Sequence, residues 1–476
     1  MMHDTYSSPL SERYASEAML ELWSPRTRHG LWRRLWLALA EAEKELGVPI
    51  PDTAIEQMRA HLDEIDFDAV AAYERRFRHD VMAHLHAFGD AAPAAKPFIH
   101  LGATSAYVTD NADLILMRRG LHLLRGRLVG VIRSLAAFAA KWKDEPTLGY
   151  THLQPAQLTT VGKRATLWMQ DLVLDARDLD HRVSTLPFRG VKGTTGTQAT
   201  FLEIFEGDHT KVRELDRRVT AMMDFPSSLA VTGQTYTRKI DASILAVVAG
   251  VAASAAKFSG DIRMLQSFGE MEEPFEQEQV GSSAMAYKRN PMRSERIAGL
   301  ARFVLSLEPN ANQTHSVQFL ERTLDDSANR RLVIPESFLA TEAILILMTN
   351  VASGLVVRSN RIAERVRTEL PLMATERLIV RAVRAGRDRQ DAHEVIRRHT
   401  VAFSSESTDG RESLGLLDRL ADDPALGLSR EDVEDAADPR AFIGRAPQQV
   451  DEFLAEVVEP LLAGAEVGAD NVEVRV

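Results

Sequence analysis

The sequence predicts an all-α protein with a long central helical bundle. Three observations predict it. From Asp110 to Lys143, the residues Leu114, Met117, Leu121, Leu124, Leu128, Val131, Leu135 and Phe138 form a stripe at i, i+3/i+4 spacing. That stripe far exceeds the mean globular helix of roughly 11–12 residues. Four further long patterns cover 159–185, about 239–268, 293–307 after Pro291, and about 329–357. Strand signals are few, and several long helices without strands argue for a bundle.

Taken in order, the elements divide the chain into three parts. Residues 1–104 read as a first domain of short helices. Leu31, Leu35, Leu39 and Ala42 keep helical spacing over 31–47, and Gly47 is placed to end that helix. The next helix starts after Pro51, with Asp52 or Thr53 as its cap. Residues 105–357 hold the long patterns. Their Ala-rich stretches suit helices that pack on more than one neighbour. The glycines and threonines of LPFRGVKGTTGTQATFLE, 186–203, interrupt them and suggest turns close to a ligand. Residues 358–476 read as a third, smaller helical domain.

Composition narrows the functional classes. The chain has 476 residues, 45% hydrophobic and 26% charged, as expected of a soluble globular protein. Its 57 Lys and Arg against 68 Asp and Glu leave a net charge of −11. That balance argues against a general nucleic-acid binder, whose affinity needs clustered positive charge. With no cysteine there is neither a disulfide framework nor a thiolate metal site. The first twenty residues lack a basic segment followed by an apolar one, so no secretory signal is expected. No run of about 18 apolar residues suggests a membrane span. A cytoplasmic protein without membrane contacts is the expectation.

Polar stretches fall at the ends and breaks of the helical patterns: RRFRHDVMAHLH (75–86), HLGATS (100–105), THLQPAQ (151–157), GSSAMAYKRNPMRSERI (281–297) and ERTLDDSANRR (321–331). Loops on a rigid scaffold are where functional groups concentrate. The fourth stretch is too poor in apolar residues for a core segment. Its glycine, serines, lysine, asparagine and arginines raise the question of why a mostly helical chain keeps so many donors and hydroxyls in one piece. Histidines and acids show no metal-ligand spacing such as HExxH, and neither a metal nor an organic cofactor is expected.

GSSAMAYKRNP resembles the signature of the fumarase/aspartase superfamily, and THLQPAQ and GATS resemble its other shared regions. RHDVMAH, TGQTY, TLDDSANRR and ELPLMATE resemble the adenylosuccinate lyase family of the type that includes the animal enzymes. The similarity runs from RYAS at 13–16 to GRAPQQV at 444–450. One departure is Ala286, where the family usually has proline. Its loss should loosen the open loop without removing a chemical group.

The resemblance implies a fumarase/aspartase-like three-domain fold and β-elimination of fumarate from adenylosuccinate, giving AMP. It implies the same elimination from the succinyl-carboxamide ribotide of the earlier purine pathway. It casts Ser282 as base, His152 as general acid, Lys288 as stabiliser of base and carboxylate, and His79 as a supporting histidine. Asn290 would help hold the carboxylate. Arg13, Tyr14, Arg322, Ser327 and Arg331 would bind the phosphate end of the nucleotide substrate. Arg78 and Asp80 would contact the nucleotide, and Thr104, Ser105, Thr151, Gln234 and Arg296 the succinyl carboxylates. It also implies a homotetramer with each site built from three subunits. The competing readings are argininosuccinate lyase, a carboxymuconate-cycloisomerase-like enzyme, a non-catalytic protein on the same fold, and an RNA binder using KRNPMRSER.

Overall fold

The computed structural model describes residues 5–406 and 414–464. After a short turn at Leu10–Tyr14 come α1 (Glu17–Leu22), α2 (Pro25–Glu45), α3 (Asp52–Ala60), α4 (Phe67–Phe77) and α5 (Asp80–Ala91). The central part holds α6 (Ser105–Lys141), β1 (Pro146–Thr151), β2 (Gln154–Thr160), α7 (Val161–Thr185), α8 (Ala199–Ile204), α9 (His209–Met222), α10 (Lys239–Ser267), β3 (Met271–Glu272), α11 (Met292–Ser316), α12 (Asp326–Gly354) and β4 (Val356–Val357). Then follow α13 (Ser359–Arg384), α14 (Arg389–Glu406), α15 (Leu414–Ala421), α16 (Arg430–Ala436), α17 (Pro439–Phe442), α18 (Ala446–Phe453) and α19 (Glu459–Ala463).

The all-α expectation holds. Helices α6, α7, α10, α11 and α12 pack on one another as the bundle. Leu114, Leu121, Leu124, Leu128 and Leu135 of the α6 stripe are fully buried. At 1.5 Å per residue, the 37 residues of α6 span roughly 55 Å and the 29 of α10 roughly 40 Å. Helices α10 and α12 are long and apolar enough to cross a membrane, but 56% and 78% of their most apolar windows are buried inside the protein. Their apolarity serves neighbours on several sides.

Some boundaries differ from the sequence reading. Helix α2 begins at Pro25, where Ser24 accepts from the Thr27 N–H, so it is six residues longer at its start than the apolar spacing showed. Gly47 does follow that helix, at φ +106°. Neither Asp52 nor Thr53 caps α3; Pro51 occupies the cap. Helix α11 passes through Pro309 to Ser316 instead of ending at Leu307. The stretch 186–198 is a loop, as expected, and α8 starts at Ala199.

The main surprise is the antiparallel hairpin β1–β2, whose tip is His152–Leu153. It packs on α13, α7 and α17. A second apolar cluster, including Leu378, Ile396, Leu416, Leu420 and Val433, gathers α13 to α16.

Candidate active site

Four helix N-termini meet around a cavity of about 920 Å³. His79 caps α5, Thr104 precedes α6, Arg238 precedes α10, and Asp326 and Ser327 open α12; all line the cavity. Helix N-termini present unpaired N–H groups and a partial positive charge, so the enclosure favours an anion. Arg28, Arg78, Arg322 and Arg331 add full charges to the wall.

Nine residues assigned above to substrate or catalysis line this one cavity: Arg78, His79, Asp80, Thr104, Ser105, Gln234, Arg322, Ser327 and Arg331. Arg331 pairs with Asp80 at 2.8 Å, and Arg322 donates to the Gln234 side-chain oxygen at 2.6 Å. Among the described residues neither Arg78 nor Arg322 has a carboxylate partner. Arg78 holds a left-handed backbone at φ +55° where α4 ends, a conformation uncommon outside glycine and frequent at functional positions. His79 accepts the Met82 N–H on Nδ1, 3.4 Å away. Its neutral ring then carries the proton on Nε2, as a donor.

Beneath the cavity lies an ion network that the sequence reading missed. Arg238 pairs with Asp110 and Asp326, and Arg330 with Asp113 and Asp241. Arg28 reaches Asp113 at 2.9 Å. Burial alone would raise the Asp110 carboxyl, but Arg238 and Arg330 hold it below the usual carboxylate range. Buried charges of this kind persist only when paired. His29 and His84, with ring centroids 3.8 Å apart, form another part of the wall. Burial lowers them to about 3 and about 4, so both are neutral at neutral pH. His84, Asp326 and Arg330 lie inside motifs quoted above, and Arg238 stands two residues after another. Adjacency to a motif was the available signal.

The remaining candidates lie elsewhere in the chain. Thr151 and His152 are exposed at the hairpin tip, where His152 and Leu153 have φ +54° and +59°. The hairpin follows the C-terminal end of α6, roughly 55 Å along the helix from Ser105 at its start. Ser282, Lys288 and Asn290 belong to the loop after α10, at the end of that helix away from Arg238. The Ser282 Oγ accepts N–H groups from Ala284 (3.3 Å) and Met285 (3.1 Å). The Asn290 amide donates to the Gly281 carbonyl at 2.8 Å and closes the loop's neck. A Cβ at Gly281 would overlap the Lys288 carbonyl oxygen, so the close approach is within the loop itself. Lys288 is exposed. Arg13 is exposed beside Tyr14, and the Arg296 guanidinium lies 5.3 Å from the centre of the Tyr14 ring. One chain therefore does not bring His152, Ser282 and Lys288 to the cavity. Among the described residues no group of three His, Asp or Glu side chains is arranged to hold a metal ion.

A helical bundle with polar loops at both ends and anion-binding helix termini defines a class, and the comparisons agree with it. Residues 14–305 match the family described as "Lyase". The fold also resembles the crystal structure of 3-carboxy-cis,cis-muconate lactonizing enzyme from Pseudomonas putida, with a TM-score of 0.81 at 23% identity over 94% of this chain and 98% of that one. Within the class, residues 371–453 match the family described as "Adenylosuccinate lyase C-terminus". Two curated proteins named adenylosuccinate lyase are similar along almost their whole length. That of Schizosaccharomyces pombe is 49% identical, and that of Saccharomyces cerevisiae 50%, each over 97% of this chain and 96% of theirs. The chain belongs to the adenylosuccinate lyase family.

Proposed function

We propose that this enzyme eliminates fumarate from adenylosuccinate, giving AMP, and from the succinylaminoimidazole carboxamide ribotide, giving the aminoimidazole carboxamide ribotide. One observation carries the reading. Nine residues assigned to substrate or catalysis, from four separate stretches of sequence, line a single cavity rich in arginine and helix N-termini. A substrate with a phosphate and two carboxylates suits such a wall, since guanidinium pairs with both groups. Arg322, Ser327 and Arg331, with Arg13 and Tyr14, serve the phosphate. Arg78 and Asp80 serve the nucleotide. Thr104, Ser105, Thr151, Gln234 and Arg296 serve the carboxylates.

In the proposed reaction Ser282 removes the proton beside a succinyl carboxylate, and the electron pair left on carbon moves into an aci-carboxylate. A serine oxygen is a weak base unless its anion is stabilised. The two backbone N–H groups on Oγ supply part of that stabilisation, and Lys288 supplies charge. Lys288 and Asn290 hold the dianion; the Asn290 amide would leave the Gly281 carbonyl to do so. The C–N bond then breaks as His152 protonates the leaving nitrogen, an act suited to an imidazole near neutral pH. His79 donates from Nε2 in support.

We further propose that the enzyme is a homotetramer whose sites combine loops from three subunits, and that residues 1–104, 105–357 and 358–476 are its three domains. The separation of the hairpin and the 281–290 loop from the cavity supports shared sites. So do large apolar side chains left exposed on bundle helices: Leu167 (52%), Leu174 (49%) and Leu332 (63%). Surfaces of that kind are covered in assemblies.

The test is the ultraviolet absorbance change when the protein is mixed with adenylosuccinate, repeated with Ser282→Ala and His152→Ala. Conversion to AMP and fumarate by the wild type, falling at least about a hundredfold in each variant, is the expected result. A wild type that converts neither purine substrate ends the assignment.

A further inference from the structure

The hairpin that carries His152 is aimed by devices that no motif announces. Its register slips between Leu148 and Tyr150, and at this bulge Gly149 crosses so close to β2 that a Cβ would stand 2.7 Å from the Gln157 carbonyl oxygen. Bulges bend a strand and re-aim the side chains beyond them. Two residues before His152, the Tyr150 hydroxyl donates to Glu270 Oε1 at 3.1 Å and accepts from Arg365 Nη2 at 2.9 Å. Arg365 Nε also stands 2.9 Å from Glu270 Oε1, which closes a triangle of three side chains from three elements. Tyr150 comes from β1, Arg365 from α13, and Glu270 from the segment between α10 and β3. Glu270 is 1% exposed, and its other oxygen is buried without a hydrogen-bond partner among the described residues. The triangle rests on Phe268, with the Arg365 guanidinium 4.7 Å and the Tyr150 ring 5.3 Å from its centre. A second brace, from Gln157 to Glu376 of α13, holds the other strand.

We infer that Tyr150 is a positioning residue. Through Glu270 and Arg365 it locks the hairpin against α13 and the end of α10, and so sets where His152 presents its ring. This rests on the reading of His152 as the acid. Proton delivery depends steeply on geometry, and a displacement near 1 Å can cost on the order of a hundredfold. The tip needs such a lock because both of its central residues hold left-handed backbone without glycine or asparagine to ease it. Tyr150 can act on His152 without touching substrate, because two residues of strand separate them by only about 7 Å.

The test measures Tyr150→Phe, Arg365→Ala and His152→Ala side by side for kcat, KM and thermal midpoint. Tyr150→Phe keeps the ring on Phe268 and removes only the hydroxyl. Arg365→Ala loosens the same triangle from the other side, as an independent break. The expected result for Tyr150→Phe is a fall in kcat of about tenfold, with the midpoint nearly unchanged and KM moving less than kcat. Arg365→Ala, which leaves Glu270 buried without its cation, should show a similar fall in kcat together with a lower midpoint. Near-wild-type kcat in both, while His152→Ala is inactive, overturns the role of Tyr150 and leaves the acid assignment intact. A parallel loss of kcat, affinity and midpoint in Tyr150→Phe also overturns it, because the triangle is then a plain structural contact. Retained activity in His152→Ala refutes the acid assignment itself, and the inference with it.

Discussion

Glu43 shows what one buried group can do to the whole stability curve. It lies fully buried on α2, and neither carboxyl oxygen meets a hydrogen-bond partner among the described residues. Burial raises it to about 9 from a reference value of 4.5. Between those values the folded state keeps a proton that the unfolded chain releases. Unfolding therefore becomes easier as pH rises, with a slope on the order of 1 kcal/mol per pH unit for this group. Replacing it by glutamine removes the titration and nearly keeps the shape. Denaturant melts at pH 5 and pH 8.5 should show the Glu43→Gln protein gaining on the wild type at the higher pH. An unchanged difference between the two pH values would mean that Glu43 is ionised in the folded protein. Glu43 carried no signal in the sequence, since on an amphipathic helix a glutamate reads as solvent-facing. The paired floor of the cavity was hidden for a related reason. Asp110, Arg238 and Arg330 are spread over 220 positions and become partners only when α6, α10 and α12 are packed. Ser282, His152 and Lys288, by contrast, stand in motifs whose residue types carry their chemistry with them.

The elements divide in the same way. Helix α6 was legible because its stripe repeats for about seven turns, and periodicity is a local property. Hairpin β1–β2 was not, although Thr147, Leu148, Tyr150, Thr151 and the Leu158–Thr160 run all favour strands. Gly149 and Pro155 break the alternation, and the turn uses His-Leu in place of Asn-Gly. The position of the bulge and the bracing by α13 are what make that sequence a hairpin, and both are tertiary. Helix contacts give a cleaner case for measurement. Gly120 of α6 faces Phe338 of α12, which is fully buried, and an added Cβ would stand 2.7 Å from the ring. The backbone of Gly120 is helical, so alanine brings no strain of its own and gains intrinsic helix propensity. Overpacking opposes that gain with about 1–3 kcal/mol, because a ring held on all sides cannot step aside. Gly120→Ala should lower the thermal midpoint, and Gly120→Ala with Phe338→Leu should recover part of the loss. A single variant as stable as the wild type would mean that the two helices can separate freely at this contact.

At the scale of the molecule, the bundle acts as a spacer. Helices α6, α10 and α12 begin at the cavity, and α6 and α10 deliver the hairpin and the 281–290 loop to the other end, tens of ångströms away. That length prevents one chain from closing its own site, and an antiparallel neighbour with the same length would present its distant end to the cavity. The proposed assembly thus follows from helix length as much as from exposed apolar surface. It also makes a quantitative claim. If His152 and Ser282 reach a given cavity from different chains, a mixed tetramer of His152→Ala and Ser282→Ala subunits contains sites in which both residues are native. Random assembly from equal amounts gives about a quarter of the sites that composition. Co-expression of the two inactive chains with different affinity tags, followed by purification through both tags, should yield an enzyme with a sizeable fraction of wild-type activity, although neither parent is active. Were both residues drawn from the same chain, every site would lack one of them, and the doubly tagged tetramer would be as inactive as its parents. A doubly tagged tetramer without activity would therefore reject the shared site while leaving the elimination chemistry untouched.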